Sequence, residues 1–214
     1  MKKYAIALAI IAIMLSVSSC STSEIVKISP DYIPYGEVPA DYTLGQAKAD
    51  GCVVFEDGDI TSGQELWDDF VRLSDDGMPC VIRLVNYYTL EGQGNMSAEL
   101  YEQEKDKYPQ MYWADLTFEK SKYKWYTVEN GVEYNREFKY MKYMEDTFEN
   151  PSSDHAGAEY FYLVDDRSVT HDDIMRSMFS SSSLDGIANC RVYSKYYPRE
   201  AEWRIITKNN VIIC

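Results

Sequence analysis

Six runs rich in β-branched and aromatic residues, at 81–90, 110–118, 123–128, 132–144, 158–164 and 189–197, constrain what this 214-residue chain can become. Such side chains suit a pleated, half-buried surface, so the chain is expected to build a sheet of about five to six strands. In the run from Val132, Val132, Tyr134, Phe138 and Tyr140 point one way and Glu133, Asn135, Glu137 and Lys139 the other, as in a sheet with one solvated face. Asn130-Gly131 marks a tight hairpin, which makes its flanking strands antiparallel. A further β-rich run, Cys52-Val53-Val54-Phe55, is followed by a turn at Asp57-Gly58-Asp59.

The clearest helix runs from Gly63 to Asp76, with Ser62 as its expected cap and Gly77 as its stop. Leu66, Trp67, Phe70, Val71 and Leu73 recur on one side, while Asp68, Asp69, Asp75 and Asp76 lie elsewhere. Thr43 is placed to cap a short helix closed by Gly51, and Thr170 with Asp173 to open another over 171–179. The stretch 95–108 reads either as a helix with Leu100 as its main apolar contact or as a charged excursion between strands. The expected fold class is α+β: an antiparallel sheet with one main amphipathic helix and one or two shorter helices packed on it.

At the N-terminus, Lys2 and Lys3 precede an apolar run from Tyr4 to Val17 and then Val17-Ser18-Ser19-Cys20, with no acidic residue before the cysteine. The pattern resembles a bacterial lipoprotein signal; the alternative is an ordinary secretory signal with a chance cysteine. The resemblance implies cleavage before Cys20, a diacylglycerol on its sulfur, and an extracytoplasmic domain held at the cell membrane by two acyl chains. The expected organisation is a signal peptide at 1–19, lipidated Cys20 and a proline-containing extended spacer at 20–41, and one domain at 42–214. No later apolar stretch reaches the ~18 residues of a membrane span, so the mature chain is expected on one side of the bilayer.

Loss of Lys2 and Lys3 with that segment takes the formal charge from −14 to −16. A chain of that sign repels polyanions, so nucleic acid is excluded as a partner, and a soluble monomeric domain is expected. About 170 residues bury enough surface to fold without staples. Cys52, Cys80 and Cys190 sit in or beside apolar runs, and these thiols, with Cys214, are expected to stay mostly reduced. None has zinc-ligand spacing.

Candidate chemistry is sparse, and no cofactor fingerprint is present. Asp57, Asp59 and Thr61 echo the first ligands of a calcium loop, but Ser62 stands where the loop needs glycine, so a turn plus N-cap is the preferred reading. Ser152-Ser153-Asp154-His155 puts triad residue types side by side without a nucleophile elbow. His171 beside Asp172 and Asp173 reads as a metal ligand or as a polar first helical turn. The paired carboxylates Asp68-Asp69, Asp75-Asp76 and Asp165-Asp166 are the raw material for an envelope hydrolase. Alternation on strands sends Met111 and Trp113 outward and groups Tyr123 with Trp125, so Trp113, Tyr123 and Trp125 are candidate binding rings for a peptide, glycan or protein, although core packing alone is the better explanation for most of the strand aromatics.

Cys52-Val53-Val54, the amphipathic helix with Phe70, the Gly77 stop and Val81-Ile82-Arg83-Leu84 leading to Tyr88-Thr89-Leu90-Glu91-Gly92 carry a second resemblance. Over residues 42 to 145 the chain resembles an uncharacterised family of short bacterial lipoproteins, a domain of unknown function found mainly in Gram-positive anaerobes. That resemblance implies an envelope lipoprotein and transfers no catalytic residue. The expected role is a tethered, noncatalytic binding or structural domain; the alternatives are a carboxylate hydrolase and a calcium-dependent module.

Overall fold

The structure is a computed structural model that describes residues 28, 31–39, 41–90, 97–129, 131–149, 155–179 and 187–198. It is α+β, with four helices and nine strands among the described residues. Strands β1 (Val53–Glu56), β2 (Asp59–Ser62), β3 (Cys80–Tyr88), β4 (Gln110–Glu119), β5 (Lys122–Glu129) and β6 (Val132–Phe138) form one sheet in the order β2-β1-β3-β4-β5-β6. Strands β7 (Tyr140–Thr147), β8 (His155–Val164) and β9 (Asn189–Pro198) form a second, antiparallel sheet. The helices are α1 (Leu44–Ala49), α2 (Gln64–Asp75), α3 (Ala98–Glu104) and α4 (His171–Phe179).

The expected single antiparallel sheet is therefore corrected twice. β1 and β3 pair in parallel, because the chain between them crosses over through β2 and α2. The run 132–144 is two strands: Phe138 pairs with Tyr123 in the first sheet, and Tyr140 pairs with Val164 in the second. The chain changes sheets at Lys139, whose amide donates to the Asp165 carboxylate (3.2 Å). Before that bend, all of β6 except Phe138 is exposed, so the sequence alternation there does not mark a buried face.

Gly63, not Ser62, opens α2. Ser62 instead ends β2 opposite Val54. Gly63 has φ +76°, and a Cβ there would stand 2.8 Å from the Cys52 carbonyl oxygen and 2.9 Å from Val53 Cα. Only glycine both turns this corner and lets the chain pass so close to β1. The expected caps of α1 and α4 form: Thr43 and Gln46 exchange side-chain to backbone bonds, as do Thr170 and Asp173. Helix α3 buries no residue, and Leu100 is 46% exposed, so it is a charged helix between strands and not an apolar contact.

Three apolar clusters hold these layers. The main one packs Trp67, Phe70 and Leu73 of α2 against Val53, Ile82, Leu84, Leu116 and Phe118, and takes in Leu163 and Tyr193 from the second sheet. Trp67 is the joint, with Phe161 edge-on at 5.1 Å and Phe55 at 6.2 Å. On its other face the second sheet buries Tyr160, Tyr162 and Val164 with Ile174 of α4. The back of the large sheet packs Val54 and Val85 against Ala47 of α1, with Tyr32 and Tyr42 outside.

That back face also carries Arg83, 4% exposed, opposite Asp115 on the adjacent strand. Arg83 Nε and Nη2 donate to the two Asp115 oxygens at 2.7 and 3.0 Å, and Nη1 donates to the Ile33 carbonyl at 2.6 Å. The rings of Tyr32 and Tyr35 lie over the guanidinium at 4.9 and 4.7 Å. Tyr35 donates to the Tyr126 carbonyl, and Tyr32 to that of Gly51. Ile28 rests against the main cluster. Much of the expected free spacer is thus a strap bound to the domain.

Phe70 is fully buried, so Phe70→Ala should cost about 3–5 kcal/mol, while Asp69→Ala on the solvated side of α2 should leave the urea midpoint nearly unchanged. Equal midpoints for the two variants would contradict this packing.

Removing Asp115 alone strands a buried guanidinium. Asp115→Ala should therefore lose about 3–5 kcal/mol, and the double change Arg83→Met with Asp115→Leu should lose less. Urea melts of both variants measure the difference.

Candidate functional site

The period-2 faces of β3 and β4 change character before the strands end. Ile82 and Leu84 give way to Asn86 and Tyr88, and on β4 the buried Leu116 and Ala114 give way to Tyr112 and Gln110. Register sets Asn86 opposite Tyr112 and Tyr88 opposite Gln110, all on the face that further along forms the main core. Helix α2 does not extend over this end of the sheet. The uncovered stretch becomes one wall of an open cleft of about 890 Å³, and β9 supplies the other.

The hairpin turn between β1 and β2 sits at the rim and is tied to both walls. Asp57 accepts from the Thr89 amide (2.8 Å) and hydroxyl (2.6 Å) at the end of β3. Asp59 pairs with Lys195 of β9 at 3.1 Å. Gly58, at φ +96°, passes the Ser194 carbonyl so closely that a Cβ would lie 3.4 Å from it.

Among the described residues seven aromatics line the cleft. Phe55 and Tyr193 form a buried base, their rings 5.1 Å apart. Tyr88, Tyr112 and Tyr196 are 42%, 47% and 44% exposed, and Tyr88 and Tyr112 meet at 6.0 Å. Trp125 and Tyr108 complete the set. Asn86, Thr89 and Gln110 add hydrogen-bonding groups, and Arg191 a positive charge. Burial raises the Tyr88 pKa, with the Arg191 charge acting in the opposite direction.

The sequence candidates are dispersed. Trp125 lines the cleft while packing against the main cluster. Tyr123 does not: it is 5% exposed, 4.8 Å from Phe118, because its face of β5 is the core face. Trp113 does point to the back of the sheet, but the ring of Tyr42 covers it at 4.6 Å. Exposed rings occur instead where a core face outruns its cover. The signal for them was the change from aliphatic to Asn, Gln and Tyr at constant parity along β3 and β4.

Asp57, Asp59 and Thr61 serve three separate partners, Thr89, Lys195 and Glu56. Among the described residues no group of three or more His, Cys, Asp or Glu converges as a metal site. The expected calcium geometry is replaced by a hairpin, in which β2 pairs with β1. Of the paired carboxylates, Asp69 bonds Arg72, Asp165 holds the Lys139 amide and Asp166 caps Ser168. His171 lies 3.2 Å from Asp146 and stacks on Tyr160 at 4.1 Å, as part of the α4 packing. Ser152-Ser153-Asp154, Cys20 and Cys214 lie outside the described residues.

A second groove, about 460 Å³, runs between α2 and the three-stranded sheet over Trp67, Val71 and Phe161, with Asp68, Asp75 and Glu159 on its rim. Tyr143 bridges Glu145 and Glu159 at 2.5 and 3.2 Å. Burial, and then the bond to Glu145, raises the Tyr143 pKa.

Cys52, Cys80 and Cys190 are free thiols, and none lines the cleft. Burial pushes them up from 9.0, to about 12 for Cys52 and Cys80 and about 11 for Cys190, so they are poor nucleophiles.

The same thiols set an alkaline limit. The folded state keeps protons that the unfolded state releases above pH 9, so this contribution is full below pH 9 and is lost as pH rises toward 11 to 12. Unfolding free energies from urea melts should fall steadily from pH 8.5 to 10.5, and iodoacetamide at pH 8 should label these thiols only after unfolding.

No helix among the described residues is long and apolar enough to cross a membrane. The chain matches no protein-family model, no curated protein and no solved structure, so the geometry of the cleft carries the functional argument.

Proposed function

We propose that this chain is an envelope lipoprotein, anchored through Cys20 on the extracytoplasmic side of the membrane, whose domain binds a saccharide in the aromatic cleft and catalyses no reaction. The carrying observation is the pair of exposed phenols Tyr88 and Tyr112 beside Asn86, Thr89 and Gln110, with Tyr196, whose ring also packs on His155 and Tyr160, at the edge of the lining. Flat rings stack on the C–H faces of pyranoses, and amides and hydroxyls bond to sugar hydroxyls, a combination of apolar walls with a few placed polar groups. The volume is in the range of small-ligand sites.

A carboxylate hydrolase needs two acids about 5 to 10 Å apart beside the bond to be cut. Among the described residues Asp57 is the one carboxylate in the cleft lining, and Thr89 engages both its oxygens. The strap bears on the anchor as well. With Ile28 packed on the domain, the chain from Cys20 spans at most roughly 30 Å, so the cleft would work close to the membrane surface.

Two measurements test this reading. Tyr112→Ala and Tyr88→Ala should each weaken saccharide binding about tenfold, read by quenching of intrinsic fluorescence, with thermal midpoints near that of the parent. Cys20→Ser should move the protein from the detergent phase to the aqueous phase on temperature-induced partition. Full binding by both tyrosine variants would remove the cleft from consideration, and unchanged partition would remove the anchor.

A further inference from the structure

Resting on the saccharide reading of the cleft, we infer that its ligand is acidic: a hexuronate-containing saccharide whose carboxylate is received by Arg191. Among the described residues of the cleft lining Arg191 is the one cationic side chain and Asp57 the one carboxylate, and Asp57 is held by Thr89. Among the described residues Arg191 forms no ion pair, in a chain whose acids outnumber its Lys and Arg by 35 to 21. Arg136 and Arg167 likewise form no ion pair among the described residues, so what singles out Arg191 is its place in the cleft lining.

The site around Arg191 is built. β9 carries one extra residue opposite Phe161 and Tyr162: Tyr193 pairs with Phe161 and Arg191 with Tyr162, which leaves Val192 as a bulge. The bulge lets Val192 and Tyr193, neighbours in sequence, both pack into the main cluster, and it resets the direction of Arg191. Tyr162, 1% exposed and opposite Arg191 in the register, lies close enough for the guanidinium charge to act on its phenol. A guanidinium has five N–H donors in a planar fork, so donors remain for a two-point bond to a carboxylate. Ser194 and Tyr196 flank it on the same strand, and Tyr88 lies near enough to sense its charge. A sugar ring against the tyrosines would place an equatorial carboxylate within reach of the fork, while its hydroxyls meet Asn86 and Gln110.

The experiment uses the full chain in detergent micelles and calorimetric titration with di- and trisaccharides of galacturonate and of glucuronate, each paired with its methyl ester. The ester keeps the ring and removes the charge. At least one acid should bind, and both esterification and Arg191→Gln should weaken it about ten- to hundredfold, the worth of a charge-assisted bidentate bond. Arg191→Lys should recover only part of the loss, because an ammonium lacks the fork. Tyr112→Ala should weaken acid and ester alike. If acid and ester bind equally and Arg191→Gln changes nothing, the acidic ligand is wrong while the saccharide cleft stands. If no member of the set binds the parent chain, both readings fall.

Discussion

Arg83 organises the back of the large sheet. Its charge is desolvated between strands β3 and β4, and such a group persists only where its donors are matched. Asp115 takes two bonds, the Ile33 carbonyl takes a third, and Tyr32 and Tyr35 cover the faces of the guanidinium. The strap at 31–35 is therefore part of the arginine's coordination and not an appendage. Its presence explains why Trp113 and Met111, which alternation turns away from the main core, still contact apolar groups. One sheet thus buries both faces, which lets β1 and β3 run parallel at its centre.

The cleft follows from a mismatch in lengths. Helix α2 covers the other face of the sheet through Trp67, Phe70 and Leu73, and the second sheet leans on the same cluster through Tyr193 and Leu163. Strands β3 and β4 continue past both. A sheet surface left bare by its cover normally turns polar, but here it turns aromatic and amphipathic, with Tyr88 and Tyr112 opposed to Gln110 and Asn86. The ties at Asp57 and Asp59 hold the hairpin turn between the walls, so the opening is fixed by hydrogen bonds and an ion pair. A site framed by strands and pinned turns keeps its geometry before ligand arrives, which lowers the ordering cost of binding.

Local rules were legible in the sequence wherever one residue decides one geometry. Thr43 with Gln46, Thr170 with Asp173, the Gly77 stop and the Gly131 hairpin all act locally, and the stripe on α2 faces the core as its spacing requires. Partner choice was not legible. Nothing in 132–144 separates Phe138, which joins one sheet, from Tyr140, which joins another, because the bend depends on Asp165 some 26 residues away in sequence. The short strand β2 carries one aliphatic residue, Ile60, and exists because β1 offers it an edge. Exposure of aromatic residues failed for the same reason: parity assigns a face but not what covers it. Nor does the run 81–90 mark Arg83 as buried, because its partners Asp115 and Ile33 lie 32 and 50 residues away in sequence.

The acidic surface and the cation in the cleft act over different distances. At physiological ionic strength charges are screened within about 8 Å, so an approaching anion feels the excess of Asp and Glu weakly and Arg191 only on arrival. Discrimination at such a site rests on contact, not on steering: long-range attraction would favour any polyanion, whereas a bidentate bond selects a carboxylate seated against the tyrosines. On the proposed reading the surrounding acids would work as a filter, since nucleic acid and anionic lipid would meet repulsion that a small ligand with one carboxylate avoids. Under the proposed anchorage at Cys20, the same repulsion would keep the cleft from closing onto an anionic bilayer within roughly 30 Å of Ile28.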